Sequence, residues 1–191
     1  MYSMKTFILF VFVLALINCR TYPMYKQCDP QWANDQLGTS SNTICSAGCL
    51  MSSAAMALSG TGHSYTPKTL NQWLKSNGGY VSGDLFVWAS INKLGLTFKG
   101  FISNDKIKTN LDAGNVVILN VHNGGHWVLA YGYNGDNINV NDPGYQTNVY
   151  ALNTIVNGNT GVYSLNTMPD FIMSWYYNAE ELLYGIFGIK K

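Results

Sequence analysis

The sequence predicts an α+β fold in which N-terminal helices pack on an antiparallel β-sheet. Runs of helix-forming residues with apolar positions at helical spacing occupy the stretch from Cys49 to Leu94. Short β-branched and aromatic runs occupy the stretch from Leu96 to Leu165. Helices therefore come first and strands second, and the order is not the βαβ alternation of a parallel sheet.

Each element has its own signal. Tyr22 to Trp32 is irregular and contains Pro23 and Asp29-Pro30. A polar loop over Gly38 to Thr43 leads into Ile44-Cys45-Ser46-Ala47-Gly48-Cys49. The first helix starts beside Cys49. Leu50, Ala54, Ala57 and Leu58 place an apolar face on it, and Gly60 and Gly62 end it. Thr66-Pro67 opens a second helix through Leu70, Trp73 and Leu74, with Thr66 as N-cap and Pro67 in the first turn. Asp84 to Leu94 reads as a third helix, closed by Gly95, and Ile107 to Asp112 as a helical turn.

Leu96–Ile102, Val116–Val121, His126–Tyr133 and Asn137–Val140 read as strands, with Asn134-Gly135-Asp136 as hairpin chemistry between the last two. Val149–Leu152 and Gly161–Leu165 add two more. Asp170 to Lys191, aromatic and apolar, reads as a C-terminal helix.

A chain of 191 residues suits one domain, and 47% hydrophobic against 11% charged residues gives ample core material and argues against disorder. The net charge of +1 and a single arginine, Arg20, argue against a nucleic-acid partner. Lys5 followed by the apolar run Phe7 to Ile17 reads as a secretory signal, because the run is shorter than a bilayer core of about 30 Å requires. Residues 1–19 are thus expected to be a signal peptide, and 20–191 one exported, secreted domain with no membrane association and a monomeric state. If Cys19 leaves with the signal, Cys28, Cys45 and Cys49 remain. An oxidising compartment allows one disulfide among them and leaves one thiol.

A nucleophilic cysteine acts as the thiolate, which a helix N-terminus stabilises. Gly48-Cys49 stands at such a position, with small Ser46 and Ala47 beside it. A base must meet the thiol. His63 reads as surface. His122 and His126 flank the turn Asn123-Gly124-Gly125, and with no acidic third ligand nearby they imply no metal. His126 begins a strand whose Val128 and Ala130 share its face. Asp142 ends the following strand, so the hairpin brings it to the same end of the sheet, where it can orient the imidazole. Gln27 can supply an oxyanion donor, with Gln31 and Gln36 as competitors on chemistry alone. Of the large aromatics Trp32, Tyr80, Trp88 and Trp127, Trp88 is expected to line the cleft and Trp127 to lie in the core.

These residues together resemble the peptidase C39-like family. The resemblance rests on Gln27-x-Asp29-Pro30-x-Trp32, Leu37-Gly38, Ala47-Gly48-Cys49 and Ser52-Ser53-Ala54-Ala55-Met56 in the front half. Gly125-His126-Trp127-Val128-Leu129, Gly132-Tyr133 and Asn141-Asp142-Pro143-Gly144 carry it in the back half. It implies a papain-like fold, a catalytic triad of Cys49, His126 and Asp142, and Gln27 in the oxyanion hole. It implies no cofactor. The expected substrate is a peptide or protein, cleaved through an acyl-enzyme. An inactive binding protein of the same fold, or an amidase or acyltransferase using the same triad, is the alternative. Leu50-Met51-Ser52 replaces the Gly-Pro-Thr found after the cysteine in many members, so the site is expected to be reshaped there. With Cys49 as nucleophile, the expected disulfide is Cys28–Cys45, since Cys45 and Cys49 flank a helix start too closely to pair.

Overall fold

The computed structural model describes residues 20–165. The expected signal at 1–19 and the expected C-terminal helix lie outside the described residues.

Thr43 caps a single helical turn, α1 (Ile44–Ala47), through a reciprocal bond pair with Ser46. Such a cap contributes about 1 kcal/mol. Gly48 breaks the turn and starts α2 (Cys49–Gly60), in which every residue from Met51 to Leu58 is buried. Serine and alanine dominate that stretch, and their small side chains let the helix lie close to the sheet. Ser53 Oγ donates to the Trp127 carbonyl of the sheet at 3.3 Å. Helix α3 (Pro67–Ser76) begins with the expected Thr66 cap and Pro67, and buries Leu70 and Leu74.

The third helix forms only in its second half. Tyr80–Val81 (β1) and Leu85–Phe86 (β2) pair as a short hairpin, and a 3₁₀ helix covers Trp88–Leu94. Ser82 and Gly83 take positive φ values of 48° and 96°, which close the turn. Asp84 Oδ2 accepts from Ser40 Oγ and Asn42 Nδ2, so this carboxylate ties the hairpin to the neighbouring loop instead of opening a helix. Gly95, left-handed at φ 96°, ends the 3₁₀ helix where expected.

Six strands form one sheet: β3 (Leu96–Ile102), β4 (Val116–Val121), β5 (His126–Asn134), β6 (Asn137–Asn141), β7 (Val149–Ala151) and β8 (Thr160–Leu165). Their order is β3-β8-β4-β5-β6-β7, with every neighbouring pair antiparallel. All six residues of β4 are buried because both faces of the sheet are covered. Val116 and Ile118 join the core under α2 and α3, with Leu58, Leu70 and Leu129. Val117, Leu119 and Val121 join a second core with Val128, Val140 and Ile107, the last from α4 (Ile107–Asp112). A strand buried on both faces reads as a continuous apolar run, which explains Val116-Val117-Ile118-Leu119. The fold is α+β, with helices packed on an antiparallel sheet, as expected.

Candidate active site

Cys49 is the first residue of α2 and the free cysteine among the described residues. The residue before it is Gly48, for which a Cβ would come 2.5 Å from the Ile44 carbonyl oxygen. Only glycine fits this contact. Gly48 also brings no side-chain cap, so the first-turn N–H groups of α2 remain for a ligand or a negative sulfur. Cys28 and Cys45 form a disulfide with sulfurs 1.95 Å apart.

His126 opens β5, and Asp142 directly follows β6. The β5–β6 hairpin brings them together, and His126 Nε2 donates to Asp142 Oδ1 at 2.7 Å. Both side chains are buried, Asp142 completely. With Nε2 engaged, Nδ1 is the ring nitrogen left for the thiol. Burial of His126 disfavours its charged form. The hydrogen bond to Asp142, then the interaction with Cys49, outweigh burial and raise its pKa to about 9. Burial alone would raise the Asp142 pKa. Donors from His126, the Tyr145 backbone, the Tyr150 hydroxyl and the Gly144 backbone lower it instead.

Gln27 is tied to the same loop, since its backbone N–H donates to the Pro143 carbonyl at 2.9 Å. Its Nε2 donates to the Cys45 carbonyl at 2.6 Å. An amide nitrogen carries two protons, so one remains for an oxyanion. The competitors lie elsewhere. Gln31 is exposed, and Gln36 is an exposed residue bound to the Ser40 carbonyl. Gln27, Cys45, Cys49 and His126 line one cleft of about 650 Å³, with Leu50, Tyr80, Phe86, Trp127 and Tyr145 among its walls. Leu50 thus occupies the wall beside the thiol, the place where reshaping was expected.

Three expectations change. Trp127, not Trp88, lines the cleft. Trp88 lies below it, ring centroids 5.1 Å apart, packed also on Phe98, Phe101 and Tyr163. Gly161 opens the slot for Trp88, since a Cβ there would stand 2.0 Å from its ring. His63 is half-buried against Gly95 and not free surface. Tyr145, Tyr150 and His122 surround the His126–Asp142 pair, and nothing local in the sequence marked the two tyrosines.

The model of the "Peptidase_C39 like family" matches residues 20–165. The chain belongs to the peptidase C39-like family. Solved structures agree with this fold. A double glycine motif protease from an AMS/PCAT transporter, solved in complex with the leader peptide, is 18% identical, with a TM-score of 0.51 over 77% of this chain and 94% of that one. The peptidase domain of Streptococcus ComA, a bi-functional ABC transporter, is 13% identical, with a TM-score of 0.51 over 76% of this chain and 100% of that one. No curated protein matches the sequence. Within this C39-like fold, the helix start carries Cys49 and the hairpin end carries the His126–Asp142 pair.

Proposed function

We propose that this protein is an exported cysteine peptidase that cleaves peptide bonds through Cys49, His126, Asp142 and Gln27. The observation that carries the reading is the buried 2.7 Å bond between His126 and Asp142 in a cleft shared with the free thiol at a helix start. The Cys49 thiolate attacks the substrate carbonyl carbon, and the oxyanion takes hydrogen bonds from Gln27 Nε2 and the Cys49 backbone N–H. The His126 imidazolium gives its Nδ1 proton to the leaving amine as the C–N bond breaks, which leaves a thioester on Cys49. His126 then takes a proton from water, whose oxygen attacks the thioester and releases the acid and the thiolate. Asp142 holds the ring and stabilises its charge throughout.

A peptide substrate is supported by the neighbour solved with a leader peptide. Export through residues 1–19 is supported by the Cys28–Cys45 disulfide, a bond that persists in oxidising compartments. The test is hydrolysis of a diverse peptide mixture by the purified protein, read by mass spectrometry against Cys49→Ala. New termini that vanish in the variant support the reading. Identical mixtures from a folded wild type and its variant overturn it.

A further inference from the structure

The carboxylate that holds His126 is itself held from behind. Asp142 Oδ1 accepts from His126 Nε2 and from the backbone N–H groups of Gly144 and Tyr145, 2.8 Å each. Its Oδ2 accepts from the Tyr150 hydroxyl at 2.8 Å. A tyrosine hydroxyl has one proton, and this one points to the carboxylate. The Tyr150 oxygen must then act as acceptor toward His122 Nε2, 2.9 Å away. That order of donors fixes His122 as protonated on Nε2. A continuous line runs from His122 through Tyr150 and Asp142 to His126.

The backbone supports the same reading. His122 and Asn123 have φ of 53° and 54°, in the left-handed region that few residues other than glycine enter and that His and Asn enter more readily than most. Such conformations cluster where the surrounding structure needs a side chain in a set place. Buried Asn120 clamps the turn by donating to the Gly124 carbonyl at 3.3 Å. The turn lays the His122 ring on Tyr145, with centroids 4.6 Å apart and planes at 17°, and against Tyr150 at 5.6 Å. Tyr145 meets His126 edge-on at 4.9 Å. The titratable groups facing His122 are therefore Tyr145, Tyr150 and His126 (5.8 Å between ring centroids), with Asp142 behind Tyr150. The Lys26 ammonium binds the Tyr145 and Asp142 carbonyls on the same loop.

We propose that Tyr150 and His122 are positioning residues that hold the Asp142 carboxylate in the orientation His126 needs, and so govern the thiolate–imidazolium pair. This rests on Cys49 being the nucleophile. Tyr150 acts on Asp142 directly, and the His122 hydrogen bond reaches the carboxylate through the Tyr150 hydroxyl.

The test is the rate of Cys49 alkylation by iodoacetamide as a function of pH, which needs no substrate. In the wild type the reactive thiol is one half of a pair with His126, so the acid limb of the alkylation profile depends on that ring. Tyr150→Phe is expected to move the acid limb up by about one pH unit, a tenfold slower reaction at a pH on that limb. His122→Leu moves it in the same direction by less. His122→Gln keeps an N–H donor near the Nε2 position and restores the wild-type profile. Because the two groups act in series, Tyr150→Phe with His122→Leu is no slower than Tyr150→Phe alone. His122 is exposed and Tyr150→Phe removes one oxygen, so the fold is retained; an NMR titration of the His126 ring reports the same shifts independently. A limb that depends on His126 but does not move in these variants, or losses that add in the double variant, overturns the proposal. A wild-type profile that His126→Ala leaves unchanged overturns the nucleophile reading itself.

Discussion

Gly144 lies against the His126 ring: a Cβ at position 144 would stand 2.8 Å from Cε1 and 3.3 Å from Nε2. Nε2 is fixed by Asp142, so the ring has no direction in which to yield without losing that bond. Gly144→Ala is therefore expected to lower kcat by at least about tenfold, or about 1.4 kcal/mol of barrier. Gly144 is exposed, so the added methyl disturbs no core packing, and any fall in melting temperature should be limited to what the weakened His126–Asp142 bond contributes. Kinetics beside thermal unfolding checks this; an unchanged kcat contradicts the placement of the ring.

The pH profile follows from the same pair. The imidazolium of His126 is held up to about 9, so activity should fall along an alkaline limb near that pH. The His126 contribution to stability is complete below the ordinary value of 6.5 and is lost as pH rises through about 9. Asp142 has the opposite sign: its contribution is present above the ordinary carboxylate value and is lost as pH falls through its lowered one. Asp142→Ala should bring the alkaline limb down toward the ordinary histidine value. Asn141 offers no replacement, because its Nδ2 donates to the Tyr22 and Pro23 carbonyls. Rate profiles of both proteins decide the matter, and an unmoved limb removes Asp142 from its role.

The disulfide connects stability to the proposed oxyanion donor, Gln27. Its half-cystines are 17 residues apart, and closing a loop of that size contributes roughly 3 kcal/mol in the chain-entropy model. Cys45 also supplies the carbonyl that holds Gln27 Nε2. The double variant Cys28→Ser with Cys45→Ser should lose stability of that order in denaturant unfolding and also lower kcat. Loss of stability with kcat intact would separate the bridge from the site.

Much of this architecture is legible in the sequence, because it rests on local signals. The caps at Thr66-Pro67, the strand runs and the Asn134-Gly135-Asp136 hairpin all form as read. The hairpin alone brings His126 to Asp142. Interactions between distant segments are not legible. The β1–β2 hairpin depends on Asp84 meeting Ser40 and Asn42. The exchange of Trp88 and Trp127 depends on a slot at Gly161, on a strand that enters the sheet last in the chain. Tyr150 reaches Asp142 through the loop after β6, and His122 reaches Tyr150 from the end of β4, so neither leaves a local pattern.

Substrate preference follows from the cleft walls. Leu50, Tyr80, Leu85, Phe86 and Trp127 are apolar or neutral, and Leu85 is 59% exposed at the rim. Asp84 is the acidic side chain on the wall, with Oδ2 already bound to Ser40 and Asn42. A charged residue entering this surface loses hydration without a full partner. Peptide-library profiling should show apolar or uncharged residues next to the cleaved bond. Dominance of Arg, Lys, Asp or Glu there contradicts the account.

The proposed mechanism makes Cys49 a nucleophile activated by His126. Labelling the purified protein with a thiol-directed peptidyl acylating probe at neutral pH, followed by peptide mapping, tests it most directly. One adduct is expected, on Cys49, with the Cys28–Cys45 bridge intact, and labelling should be lost in a folded His126→Ala variant. An unlabelled Cys49, or labelling that persists at the same rate without the His126 imidazole, would contradict it.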